Sequence, residues 1–221
     1  MEELLEDIEH SIHLLRLDRP VLGGHSWGAT VALEFAARYP TSISGLVFID
    51  GPVQSAANLF SWEDGQTYMQ PPLPRYSSFQ QAIDDNRREL EGAWGDDLEP
   101  FAFARLMQDG DSLILTLTAP IRLELLRGLY ESPVDLLWTQ LEMPATALLA
   151  RVGPSRVIAW RETGARKLAE AASEVSVKWF ETPHDIPLHA PMEVAAELEK
   201  MAIAVSAAAG SEPTARKQLQ D

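Results

Sequence analysis

Two residue types in this chain suggest nucleophilic chemistry: a glycine-flanked serine in Gly24-His25-Ser26-Trp27-Gly28, and a histidine far downstream, His184. A serine hydroxyl is a weak nucleophile until a base removes its proton. Imidazole titrates near neutrality, so it can take that proton and later hand it to a leaving group. The serine motif reads G-x-S-x-G, follows the apolar run Pro20-Val21-Leu22-Gly23, and opens into a helical pattern from Ala29 to Tyr39. Strand, sharp turn through serine, then helix is the setting of a nucleophile elbow. Gly24 and Gly28 are expected to keep bulk out of the place where the strand and helix backbones pass close together. The bend would lift the Ser26 hydroxyl above the sheet and aim the Trp27 backbone N–H at a developing oxyanion. A helix N-cap is the plainer role for Ser26, and the paired glycines favour the elbow.

The elements that must position these groups follow from periodicity. Leu4, Leu5, Ile8, Ile12 and Leu15 recur at helical spacing, so residues 2–16 read as an amphipathic helix. Residues 20–25 form the elbow strand, and Pro40 stops the helix that follows it. Ile43 to Ile49 is a near-continuous apolar run closed by Asp50-Gly51-Pro52, as in a strand buried on both faces of a parallel sheet. Residues 53–140 break the rhythm. Pro71 to Pro74 is a loop, and 78–90, 98–107 and 120–130 read as helices, with Asp109-Gly110-Asp111 as a turn between the last two. Alternation resumes with a strand at 145–150, a helix to about 172, a strand at 175–180, a loop at 181–190, and a last helix from Pro191. The fold class is therefore α/β, a mostly parallel sheet of about four strands flanked by helices. Residues 1–52 and 141–205 make the core, 53–140 a helical insertion, and 206–221 a flexible tail.

Composition limits the partners. The 221 residues carry 33 acidic and 18 basic side chains, a net charge of −15. That balance disfavours nucleic acid and anionic membrane surfaces, both of which demand a basic face. The absence of cysteine removes disulfides, thiolate catalysis and Cys-ligated metals from consideration. The N-terminus is acidic and amphipathic rather than signal-like, and the apolar stretch near 201–209 is too short for a bilayer, so a cytoplasmic protein is expected.

Leu22 to Gly28, continuing through Ala36-Ala37-Arg38-Tyr39-Pro40 to Gly45-Leu46-Val47-Phe48-Ile49-Asp50-Gly51, resembles the elbow, helix and next strand of the α/β-hydrolase fold superfamily. Thr182-Pro183-His184-Asp185 to Pro191 resembles its histidine loop, and 53–140 corresponds to its helical cap. The resemblance implies a serine hydrolase without a cofactor or metal, acting on a small to medium, fairly apolar acyl substrate such as an ester. Ser26 would be the nucleophile, His184 the base and Trp27 an oxyanion donor. Dehalogenases and epoxide hydrolases of that fold use an aspartate nucleophile, so serine points elsewhere. The acid is less direct. The family's usual position falls after the strand ending at Ala150, where Arg151 to Arg156 offers no carboxylate. Some members place the acid one strand earlier, which here is Asp50, at a strand C-terminus where sites gather. An Asp-Gly turn is the plainer role for Asp50, while Asp185 and Glu162 are the other acids within reach. His184, Asp185 and His189 lack the spacing of a metal site. Trp62, Tyr68, Met69, Trp94, Phe101, Phe103 and Trp138 supply apolar bulk for a pocket or, more simply, for the insertion's own core.

Family members carry about four strands before the elbow, and a loop among them gives a second oxyanion donor. Only a helix precedes the elbow here. The expectation is an edge strand open to self-association and an enzyme weakened by lacking a donor, or a non-catalytic relative in the extreme.

Overall fold

The computed structural model describes residues 1–69, 72–90, 92–172 and 174–211. Its elements run α1 (Glu2–Leu14), β1 (Val21–His25), α2 (Trp27–Arg38), β2 (Gly45–Ile49), α3 (Trp62–Met69), β3 (Arg75–Tyr76), α4 (Phe79–Glu89), α5 (Glu99–Ala104), β4 (Leu106–Asp109), β5 (Ser112–Leu115), α6 (Ala119–Glu131), α7 (Val134–Leu137), β6 (Ala145–Ala150), α8 (Ser155–Ala171), β7 (Val175–Phe180), α9 (Ile186–His189) and α10 (Pro191–Ser211). Four strands pair in parallel in the order β1-β2-β6-β7, with β1 at one edge.

Hydrophobic content decides which strands are central. Every residue of β2 and of β6 is buried, as required when helices cover both faces of a parallel sheet. Alternate residues then serve opposite layers. Leu46, Phe48, Ala145, Ala147 and Leu149 join the core beneath α1, α2 and α8, built with Leu5, Leu33, Phe35 and Leu168. Val47, Ile49, Leu148 and Ala150 face α9 and α10 through Ile186, Ala190, Val194 and Met201. Each large side chain so buried contributes about 1.5–3 kcal/mol, which makes β2 and β6 the rigid centre of the molecule. The outer strand β7 alternates instead, exposing Ser176 and Lys178. A lysine on an edge strand discourages pairing with other chains. Lys178 also bonds Glu197 of α10 at 2.8 Å, and this bond holds the Glu197 carboxyl below its usual range.

Between β2 and β6 the chain departs from the helical reading. β3, β5 and β4 form a three-stranded antiparallel sheet. The stretch 98–107, expected to be one helix, is a short helix through Ala104 followed by β4. Asp109-Gly110-Asp111 is thus the tip of a hairpin, with Gly110 at φ 59°. Leu113, Ile114 and Leu115 carry enough β-branched and apolar character to pair, and the hairpin turn selects that pairing over a helix. This segment ties back to the core. Trp138 packs edge-on against Phe48 at 4.9 Å, and Ser132 donates to Glu34 of α2 at 2.7 Å. Asp135 accepts from the Ser55 amide at 2.9 Å.

Two further differences concern loops. The segment 181–190 contains the short helix α9, and α10 continues through 206–211, which had been assigned to a flexible tail. Pro71 and residues 212–221, also assigned above to loop and tail, lie outside the described residues. Among the described residues no helix is long and apolar enough to cross a membrane.

Candidate active site

Ser26 sits between the last residue of β1 and the first of α2, with φ 57° and ψ −121°. Positive φ is uncommon for a residue bearing a Cβ and costs on the order of 1–3 kcal/mol, a strain typical of functional turns. The turn is held by its neighbours. The Ser26 amide donates to Ile49 O at 2.8 Å, and Ala29 N donates to Ser26 O at 3.1 Å. The Ser26 side chain makes no capping bond to α2, so the N-cap role does not describe it.

The two glycines of the motif are not equivalent. A Cβ on Gly24 would lie 2.2 Å from Gly28 O and 2.8 Å from Ala29 N, whereas a Cβ on Gly28 would meet nothing within 4 Å. The expectation that both keep side-chain bulk away therefore holds for Gly24 alone. Gly28 contributes the backbone that Gly24 must clear. Because the obstruction is main chain, no rotamer change relieves it. Gly24→Ala is expected to disrupt the bend, lowering both thermal stability and any Ser26-dependent activity, while Gly28→Ala leaves the fold intact. Circular dichroism melts of the two variants measure the contrast.

The long loop after β7 brings His184 to this turn. His184 Nε2 accepts from Ser26 Oγ at 2.8 Å, and its Nδ1 donates to Asp50 Oδ2 at 2.6 Å. Asp50 follows β2 directly and has φ 42°, so the chain turns away from the sheet just as the carboxylate points back to the histidine. The backbone fixes Asp50 further, because its amide donates to Leu148 O at 2.8 Å and its Oδ1 accepts from Ala150 N at 2.8 Å. The Asp50 side chain is fully buried, while that of His184 is 46% exposed. This is a gradient from a dry acid to an imidazole open to substrate and solvent. Gly51 follows Asp50 because a Cβ there would strike the Phe48 ring at 2.5 Å and the Ala29 methyl at 2.6 Å.

Two residues join the site without having been singled out. Arg161 of α8 places Nη2 on Asp50 Oδ2 and Nη1 3.3 Å from Ala150 O, and its side chain is only 7% exposed. Burial pulls the guanidinium below its ordinary pKa, with Asp50 opposing the shift. Its signal lies in the spacing. Arg161, Gly164, Ala165 and Leu168 are the buried face of α8, and a cation on an apolar helical stripe demands a buried anion. His25 is the second, with Nε2 3.0 Å from the His184 carbonyl and its ring centroid 5.0 Å from that of His184.

The Trp27 amide opens α2, where the first N–H groups lack intrahelical acceptors and the helix dipole favours negative charge. Its indole Nε1 is buried without a hydrogen-bond partner, 3.6 Å from where a Cβ on Gly128 of α6 would stand. Asp185 stands just before the short helix α9 without a side-chain bond to it, while His184 turns to Asp50, and His10 and His13 are exposed on α1. Glu162 follows Arg161 on α8 and lies outside that helix's buried face. Of the bulky residues named for a pocket, Trp62 packs on Tyr130 at 5.4 Å, Phe103 on Phe79 at 5.1 Å, and Trp138 on Phe48. A cleft of about 630 Å³ between the small sheet, α4 and α6 is lined instead by Leu73, Tyr76, Arg105, Leu115 and Arg122, among others. The side chains of Tyr68 and Met69 lie outside the described ones.

Comparison with known proteins agrees with the fold. A family model described as the alpha/beta hydrolase fold matches residues 1–90. Epoxide hydrolase 3 of Xenopus tropicalis is 41% identical over 56 residues, which is 25% of this chain and 15% of the frog protein. Epoxide hydrolase 3 of Mus musculus is 36% identical over 58 residues, 26% of this chain and 16% of the mouse protein. The chain thus aligns with only about a sixth of the length of these curated relatives. Among solved structures, the thioesterase domain from the curacin biosynthetic pathway superposes with a TM-score of 0.65 at 18% identity, covering 90% of this chain and 71% of that one. E-2-(acetamidomethylene)succinate hydrolase superposes at 0.67 and 16% identity, covering 91% and 72%. Identities this low speak for the fold alone. The parallel sheet, the bend at Ser26 and these matches converge on one fold: the chain has the architecture of the α/β hydrolases, and the family model of that fold matches its first 90 residues.

Proposed function

We propose that this hydrolase-fold chain is a serine hydrolase that cleaves a carboxylic ester or related acyl substrate through an acyl-enzyme. The observation that carries the reading is the continuous hydrogen-bond path from Ser26 Oγ through both nitrogens of His184 to Asp50, with links of 2.8 and 2.6 Å. In the first step Ser26 Oγ attacks the acyl carbon as its proton passes to His184 Nε2. The carbonyl oxygen becomes an oxyanion facing the Trp27 amide, and Asp50 supports the imidazolium. The intermediate collapses, the leaving alkoxide takes the proton from Nε2, and the acyl group stays on Oγ. A water then repeats the sequence, giving up its proton to Nε2 as it attacks and freeing the acid and Ser26. Residues 53–140 would act as the cap over this site, and a small to medium, fairly apolar acyl group suits its composition. The short likeness to epoxide hydrolases does not favour epoxide opening, since the elbow presents a hydroxyl where that chemistry resembles an aspartate reaction.

The test is labelling with a fluorophosphonate probe alongside turnover of p-nitrophenyl butyrate. Labelling and turnover that both vanish in Ser26→Ala support the reading. A folded protein that neither labels nor turns over the ester refutes it.

A further inference from the structure

The least expected feature of the site is a buried guanidinium on its acid. We propose that Arg161 is a positioning residue for hydrolysis: it holds the Asp50 carboxylate in line with His184 and, by sharing the same oxygen, limits how strongly that carboxylate favours protonated His184. The proposal rests on the reading of Ser26, His184 and Asp50 as a hydrolytic triad.

Three donors converge on Asp50. The Ala150 amide takes Oδ1 at 2.8 Å, while His184 Nδ1 and Arg161 Nη2 both take Oδ2. Arg161 also reaches Ala150 O at 3.3 Å. The fork therefore bridges the end of β2 to the end of β6, and the carboxylate plane cannot rotate without breaking a bond to β6, to α8 or to the histidine loop. A planar guanidinium can serve both acceptors, whereas an ammonium on a flexible stem acts as a point charge.

The electrostatic consequence follows from the shared oxygen. Asp50 is fully buried and Arg161 nearly so, so little solvent screens the pair and its charges largely cancel as seen from His184. Besides Asp50, His184 meets the Ser26 hydroxyl and the His25 ring at 5.0 Å, and Asp185 follows it in the chain. With Arg161 in place, the imidazolium gains less from Asp50 than it would from a lone buried carboxylate.

The test uses three full-length variants. In Arg161→Met, the acid limb of kcat/KM is expected to rise by about half a unit to one unit, with kcat reduced on the order of 10-fold as Asp50 loosens. Arg161→Gln keeps a donor for Asp50 without the charge and should show the same rise, which keeps the test alive if the methionine variant fails to fold. Arg161→Lys keeps the charge but loses the fork, so the limb should stay near wild type while kcat falls several-fold. A role in stability alone would lower the melting temperature in all three without moving the limb, and that result overturns the proposal. So does an unchanged kcat in Arg161→Lys. NMR titration of the His184 imidazole gives the same shift without turnover. An inactive wild type would therefore sink the hydrolase reading and leave the Arg161 coupling separately measurable.

Discussion

Asp50→Asn is expected to reduce ester turnover on the order of 10,000-fold, because an amide in that position stabilises the wrong imidazole tautomer and cannot support the imidazolium. The substitution also costs stability. Asp50 is the counter-charge of Arg161, whose side chain is 7% exposed, and removing one member of a buried pair leaves an uncompensated charge costing about 3–5 kcal/mol. For a chain of this size the melting temperature should drop by roughly 6–20 °C. Calorimetry and an ester assay on the same preparation separate the two effects. Replacing both residues, Asp50→Asn with Arg161→Met, should recover most of the stability and none of the turnover. A single variant that melts like wild type would show that Arg161 does not depend on Asp50.

Ser26→Gly should abolish activity and yet be more stable than an equally inactive Ser26→Ala. Losing the nucleophile is expected to cost on the order of a million-fold in kcat. Yet Ser26 is held at φ 57° and ψ −121°, and among the described residues its side chain bonds His184 alone. Glycine relieves strain of about 1–3 kcal/mol, against roughly 0.5–1 kcal/mol for its greater freedom in the unfolded chain and a modest loss for the hydrogen bond to His184. Against Ser26→Ala, which loses the same hydrogen bond but keeps a Cβ at positive φ, Ser26→Gly is expected to be more stable by about 1 kcal/mol. A Ser26→Gly denaturant midpoint at or below that of Ser26→Ala would mean that the bend stores no strain.

Much of this site was legible because its signals are local. The elbow announces itself through Gly24, Ser26 and the helix behind them, and the central strands through unbroken apolar runs. Asp50 was reached through the resemblance, which puts the acid one strand earlier in some members, and through its place at a strand end, since an Asp-Gly pair by itself reads equally as a turn. The hairpin of residues 106–115 was missed because its apolar residues fit either period and only pairing decides between them. Arg161 went unread for a different reason: its partner lies 111 residues away. A charge on an apolar stripe signals that a partner exists without naming it.

The separations along the chain have a consequence for assembly. Ser26 and His184 stand 158 residues apart, and His184 and Asp50 134. Both contacts form only after β7 has docked beside β6. High contact order of this kind slows folding, and on a growing chain the first four elements must wait, half-finished, for partners still being synthesised. The arrangement of Ser26, His184 and Asp50 is accordingly a late arrival, and its presence reports that every earlier tier of the structure is already in place.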